Sequence, residues 1–77
     1  MPRITLVFTL SDPRAQVDLL HEFSLHDGID ATAIEIDDHP AISVETYDSI
    51  STVWDVRATI GMFDDRAREE LDQGRPR

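Results

Sequence analysis

Hydrophobic and polar residues alternate at the start of the chain. The segment "RITLVFTL", residues 3–10, places four apolar residues on one face of a strand and threonines on the other. The apolar four are Ile4, Leu6, Phe8 and Leu10. β-branched and aromatic residues, which favour strands, dominate the segment. Val7 makes the second face partly apolar, which indicates a strand in the interior of a sheet.

The apolar positions then change to helical spacing. Ala15, Leu19 and Phe23 recur every four residues and form one stripe of a helix. The signals that bound this helix are a capping side chain, a proline in the first turn and a terminating glycine, supplied by Asp12 or Ser11, Pro13 and Gly28. Each suits its position, since proline lacks only an N–H that a first turn leaves unpaired, and glycine accepts left-handed backbone. The pattern predicts a helix over residues 13–26.

The next segment, "IDATAIEIDDHPAISVETYD", has the pattern of a hairpin. Ile34 and Ile36 share one face of the first arm. The second arm has Ile42, Val44 and Thr46 on one face. Between the arms lies "DDHP", and aspartate and proline are typical turn residues.

Residues 49–74, "SISTVWDVRATIGMFDDRAREELDQG", fit two patterns. As a strand, apolar residues alternate from Trp54 to Ile60. As a helix, they recur every three or four residues from Ile50 to Leu71, which covers more of the segment. The helix is therefore favoured, with Gly61 marking either a kink or the end of a first helix; the strand remains the alternative.

The favoured order of elements is β-α-β-β-α, a small two-layer α+β sandwich with a three-stranded sheet and helices on one face. This order resembles the ferredoxin-like sandwich without its last strand; the alternative order is β-α-β-β-β-α. An absent strand leaves a sheet edge uncovered, which invites pairing with a second copy or a partner. We expect one domain over residues 1–72 and a flexible tail over 73–77.

Charge is the most informative part of the composition. The chain of 77 residues has sixteen carboxylates and seven arginines, with no lysine, and a formal net charge of −9. Ten of the carboxylates lie between Arg14 and Arg57, where no lysine or arginine occurs. A field of one sign repels nucleic acid and anionic membranes and attracts basic protein surfaces. Direct binding to DNA or RNA is therefore not expected.

Other bulk features narrow the class of protein. No cysteine is present, so disulfides and thiolate metal sites are excluded. No apolar run approaches the roughly 20 residues that span a bilayer. The start, "MPRITLVFTLSDPR", does not have the pattern of a signal peptide. We expect a cytoplasmic protein without membrane contact.

Candidate chemistry is weak. Asp37, Asp38 and His39 are typical metal-ligand types, but the following proline places them on a turn, and a metal site needs three or four converging ligands. His21 and His26 are five residues apart, so a helix would point them in different directions. No serine or threonine has the glycine or histidine context of a nucleophile. The sequence therefore predicts no enzyme activity, metal site or cofactor.

The acidic pattern predicts a non-catalytic protein that binds a basic surface of a protein partner, by charge mimicry of nucleic acid. Phage anti-defence proteins, antitoxins and immunity proteins are inhibitors of this kind. We expect contacts around the hairpin, with Tyr47 as the anchor. The residues are Asp30, Glu35, Asp37, Asp38, Glu45, Tyr47 and Asp48. Adaptation to high salt or a GC-rich genome also produces acidic, lysine-free chains, with carboxylates spread evenly.

The alternative is a self-associating ferredoxin-like module with a regulatory or small-ligand role. A helix of 24 residues is about 36 Å long, whereas seven-residue strands cover about 23 Å. The overhang, with Phe63, Ala67 and Leu71, is then expected to pack on a second copy as a homodimer. Trp54 flanks the apolar stripe of this helix and is expected in the core, since a lone tryptophan is more often an anchor there; an exposed contact residue is the alternative.

Overall fold

The computed structural model describes residues 2–70, which form a four-stranded antiparallel sheet and two helices. The strands are β1 (Arg3–Thr9), β2 (Asp30–Ile36), β3 (His39–Tyr47) and β4 (Arg68–Glu70). The helices are α1 (Pro13–Ser24) and α2 (Ile50–Phe63). The broad α+β class predicted from the sequence is confirmed.

The prediction of three strands is wrong, because β4 follows α2. Strand order in the sheet is β2-β3-β1-β4, and β4 pairs antiparallel with β1 through Val7–Glu70 and Thr9–Arg68. The element order β-α-β-β-α-β is that of the complete ferredoxin-like arrangement. Neither predicted order, β-α-β-β-α or β-α-β-β-β-α, contains this final strand.

Helix α2 confirms the helical interpretation of residues 52–60, but it is shorter than predicted. It continues through Gly61 and ends at Phe63, where Asp64 adopts extended backbone (φ −152°, ψ 95°). Fourteen residues give a length of about 21 Å, which matches the strands. The predicted overhang therefore does not exist. Arginine, alanine and glutamate after residue 64 favour helix, but pairing with β1 places Arg68, Glu69 and Glu70 in β4.

Helix α1 agrees well with its prediction. Asp12 is the N-cap, and its carboxylate accepts a hydrogen bond from the Arg14 N–H at 2.8 Å. The helix ends at Ser24, two residues before the predicted end. Gly28 has the expected left-handed backbone (φ +83°), but it lies in the loop beyond the helix rather than at its end.

The hairpin is confirmed, with a tighter turn than "DDHP" indicated. Only Asp37 and Asp38 form the turn, with φ of 52° and 66°, because His39 and Pro40 already belong to β3. Positive φ at both central residues is the type I′ geometry that matches strand twist. Aspartate tolerates this conformation better than most residues.

The hydrophobic core lies between the sheet and both helices, which pack on the same face. Its buried residues are Leu6, Phe8, Leu10, Leu19, Phe23, Ile42, Val44, Val56 and Ile60. The register pairs Ile42 with Ala33 and Ala41 with Ile34. Ile34 therefore points to the opposite face of the sheet, away from the helices.

A candidate protein-binding surface on helix α2

The outer face of α2 is apolar and open to solvent. Ile50, Trp54 and Met62 are 81%, 63% and 83% exposed. With Ala58, which is also exposed, they recur every four residues along one side of the helix. The opposite side supplies Val56 to the core. We call the surface formed by Ile50, Trp54, Ala58 and Met62 the α2 face.

The expectation that Trp54 lies in the core is wrong. Both sides of α2 are apolar, so sequence periodicity does not show which side faces the sheet. The structure places Val56 and Ile60 there, and Trp54 points outward. A helix that is apolar all round is typical of one covered on both sides. The exposed position of Trp54 corresponds to the alternative role of a contact residue.

A groove runs between the α2 face and the first half of β1. Its apolar walls come from Ile4 and Leu6 of β1 and from Ile50, Val53 and Trp54 of α2, and its volume is about 270 Å³. Asp48, Ser49 and Arg57 line its polar parts. Within residues 2–70, β4 pairs only with Val7–Thr9 of β1. The groove lies beside the first half of β1, which β4 does not reach.

The Arg57 guanidinium in this groove is held by β4. Its Nε and Nη2 donate to the Glu69 carboxylate at 2.8 and 3.1 Å, a bidentate pair. The hydrogen bond to Glu69 raises the pKa of Arg57, although desolvation opposes the shift. Arg57 is thus neutralised locally, and α2 carries only one other charged residue, Asp55.

The predicted contact residues around the hairpin are not gathered on one surface. Asp30 and Glu45 are directly opposite each other on β2 and β3, and Arg3 bridges them. Arg3 Nη2 lies 2.9 Å from the Asp30 carboxylate, and Nε lies 3.9 Å from that of Glu45. The guanidinium also lies 5.1 Å from the centre of the Tyr47 ring. Three of the predicted residues are therefore occupied by one arginine.

Arg3 was missed because it lies outside the arginine-free stretch of the sequence. The antiparallel register pairs Arg3 with Tyr47, which brings it beside the carboxylates of that stretch. A hairpin prediction with a β1–β3 register would have found this contact. Tyr47 is further constrained by Gly28, where a Cβ atom would lie 2.6 Å from the tyrosine ring.

The other predicted contacts lie in three places. Glu35 is on the edge strand β2, Asp37 and Asp38 form the hairpin turn, and Asp48 lies beside the groove at the start of α2. All four are exposed. Glu35, Asp37 and Asp38 thus lie near the turn of the hairpin, whereas Asp48 lies beyond the far end of β3.

Eight exposed carboxylates make no ion pair or side-chain hydrogen bond within residues 2–70. They are Asp18, Asp27, Glu35, Asp37, Asp38, Asp48, Asp55 and Asp65. They lie on both helices, on β2 and on the connections between elements. This spread is the one that adaptation to high salt or genome composition predicts; Asp55 lies on α2 and Asp48 and Asp65 lie at its two ends, so these three contribute to the field at the α2 face.

The residues predicted to self-associate have different environments. Phe63 is 40% exposed at the end of α2, whereas Ala67 is half-buried against the core. Leu71 lies outside the described residues. The helical overhang that would join them is absent, so only Phe63 continues the apolar surface of α2.

The histidines lie on different parts of the chain: His21 on α1, His26 beyond the end of that helix and His39 at the start of β3. His26 Nε2 lies 3.3 Å from the Glu22 carboxylate, and His21 is exposed on α1. His39 is exposed at the start of β3. Within residues 2–70, no three histidine, aspartate or glutamate side chains converge as a metal site would require. Neither described helix combines the length and hydropathy needed to cross a bilayer.

Among residues 2–70, Asp64 is the one buried carboxylate. It accepts hydrogen bonds from Ser11 N at 2.6 Å, Ser11 Oγ at 2.7 Å and Arg66 N at 3.0 Å. Burial opposes its ionisation, but these hydrogen bonds outweigh that cost and lower the pKa of Asp64. Its full set of partners indicates a structural role.

No family model and no curated protein sequence matches the chain. The proposed function therefore depends on the surface of the molecule.

Proposed function

We propose that the chain is a small, non-catalytic binding domain for a basic protein surface. The observation that carries this proposal is the exposed apolar α2 face on a domain with a net charge of −9. Apolar side chains exposed in a contiguous stripe are typical of contact surfaces, and the surrounding charge selects the sign of the partner.

The apolar part of the surface is too small to bind tightly alone. Ile50, Trp54, Met62 and Phe63 together expose on the order of 500 Å², taking about 200 Å² for a large exposed side chain. At ~25 cal/mol per Å², this gives roughly 12 kcal/mol before costs. Association itself costs about 4–15 kcal/mol. Charge complementarity therefore decides which partners bind.

The eight unpaired carboxylates supply that complementarity. Because each is exposed and lacks an ion-pair partner within residues 2–70, its field extends into solvent. Such a field accelerates encounter with a basic surface and repels acidic ones. A nucleic-acid-binding protein presents a basic surface of this kind. Occupying it would inhibit that protein, as antitoxins, immunity proteins and anti-defence proteins inhibit theirs.

Self-association is the second candidate. The observation in its favour is the low charge of α2, which lets two acidic copies approach each other there with the least repulsion. A regulatory or small-ligand role could then use the groove beside β1. Its weakness is charge, since each copy has a formal net charge of −9.

The test is capture of partners by the full chain at low and high salt, followed by affinity measurements with each purified partner. We expect basic partners whose affinity falls as salt rises. A variant with Asp18, Asp27, Asp37 and Asp38 changed to asparagine removes four unpaired charges without removing any hydrogen bond of the fold. Its affinity should fall in the same direction.

A salt-independent affinity that is also unchanged in this variant would contradict the proposal. Detectable turnover of a substrate by the purified chain would contradict its non-catalytic part.

A further inference from the structure

We infer that the α2 face binds an amphipathic helix of the partner, with lysine or arginine residues flanking its apolar stripe. This inference rests on the proposed function and names the contact surface and the chemistry of the partner. It is argued from the shape of the face, from the charges around it and from the area available.

The shape of the α2 face suits a helix. Its apolar residues form an i, i+4 ridge about 18 Å long from Ile50 to Met62, the spacing that packs against another helix. Large side chains, Trp54 and Met62, flank a shallow part of the ridge formed by Ala58 and Gly61. Nothing lies within 4 Å of the position where a Cβ of Gly61 would stand. A partner side chain can therefore approach the helix closely between the two large residues.

The charges around the face favour a basic partner. Asp48 lies beside Ile50 and Trp54 at one end, and Asp55 lies on the helix. At the other end Asp65 and the exposed Arg66 both lie beside Met62 and Phe63, so three carboxylates surround the face against one exposed cation that is not paired with Glu69. All three carboxylates are exposed and unpaired within residues 2–70. No basic residue occupies the last turn of α2, so its carbonyl groups add to the negative potential there.

A second copy of the chain fits less well. It would bring another net charge of −9 to the same surface, with Asp48, Asp55 and Asp65 repeated on its rim. The apolar area, on the order of 500 Å², matches the non-polar share of a standard interface of about 800 Å² per partner, so the charges decide between the two occupants. A basic helix replaces repulsion with attraction over the same apolar contacts.

The experiment uses the full chain and a synthetic helical peptide of leucine and lysine as the probe. Trp54 is the only tryptophan, so its emission reports directly on the α2 face. Two further peptides serve as controls: one with the same composition but no continuous apolar stripe, and one with glutamate in place of lysine. We expect only the leucine–lysine helix to shift Trp54 emission to shorter wavelength in a saturable manner.

Two matched variants locate the binding site. Ala58→Arg places a long cationic side chain in the centre of the α2 face, and Val17→Arg places the same side chain on α1, where Val17 is 64% exposed. We expect Ala58→Arg to weaken peptide binding by at least about tenfold, as for a central contact, and Val17→Arg to have a much smaller effect.

Equal weakening by both variants, or binding without a shift in Trp54 emission, would overturn the inference, because charge alone would then explain the affinity. So would an absence of peptide binding. A native dimer that Ala58→Arg converts to a monomer would assign the face to a second copy. Salt-sensitive capture of a basic partner, measured separately, would leave the proposed function standing in each case.

Discussion

Asp64 joins two turns that are distant in the sequence. Its carboxylate binds Ser11, which lies between β1 and α1, while its backbone ends α2. The same carboxylate accepts the N–H of Arg66 in the turn before β4. One buried side chain thus aligns the start of α1, the end of α2 and the approach to β4.

Asp64→Ala should destabilise the fold by about 1–3 kcal/mol, because it leaves the N–H groups of Ser11 and Arg66 without their acceptor. Urea unfolding measures the change. Asp65→Ala is the matched control, since Asp65 is exposed and makes no such bond; its effect should stay within about 0.5 kcal/mol. Equal effects of the two substitutions would contradict the structural role of Asp64.

The lowered pKa of Asp64 also predicts a pH dependence. Its ionised form is favoured by folding, so its contribution to stability is present above the ordinary carboxyl pKa of about 4. That contribution is lost as the pH falls below this value, through the folded-state pKa. The difference in unfolding free energy between the native chain and Asp64→Asn should therefore shrink on acidification. A difference that grows below pH 4 would be the contrary result.

Two glycines have opposite roles in the fold. Gly28 has φ +83° and lies against the Tyr47 ring, so Gly28→Ala should cost more than about 1 kcal/mol. Gly61 lies in the exposed interior of α2 with open space around it, so Gly61→Ala should stabilise by up to about 1 kcal/mol. Thermal or urea unfolding of both variants measures these changes in the free energy of unfolding. A stabilising Gly28→Ala would contradict the left-handed conformation of Gly28.

At the scale of the elements, one side of α2 stabilises the core and the other side is proposed to bind the partner. Ile60→Ala should cost about 2–5 kcal/mol, because Ile60 is buried in the core. Trp54→Ala should change the unfolding free energy by less than about 0.5 kcal/mol, because the side chain is mostly exposed. Loss of partner binding in Trp54→Ala without loss of stability would match the proposed surface; a large loss of stability would place Trp54 in the core.

The elements that local patterns predict correctly are β1, α1, the hairpin and the helical start of α2. Each has its own periodicity and cap or turn residues, so neighbouring residues decide the structure. Strand β4 could not be predicted in this way. Its three residues, Arg68–Glu70, have low strand propensity and are held by pairing with β1, which is distant in sequence.

The candidate surface was only partly predictable for a similar reason. Periodicity identifies a helix, but two apolar sides leave its orientation undecided, and packing against β3 determined that Val56 faces inward. The pairing of Arg3 with Asp30 and Glu45 depends on sheet register. Local sequence carries neither kind of information.

For the whole molecule, the unpaired carboxylates predict a salt effect. They repel one another, so screening by added NaCl should raise the unfolding free energy of the isolated domain. The same salt should weaken its complex with a basic partner. Chemical unfolding by urea at several NaCl concentrations checks the first effect. A domain whose stability falls steadily with moderate NaCl would contradict it.

The position of β1 has a consequence for synthesis. It lies between β3 and β4, and Thr9 Oγ1 donates to the Glu70 carboxylate across 61 residues of chain. During synthesis on the ribosome β1 is made first, but it cannot pair with β4 until residues 68–70 have been made. Long-range pairing of this kind slows folding. We expect the sheet to be completed only after residue 70 has emerged from the ribosome. Until then β1 has an unpaired edge, which chaperones can bind.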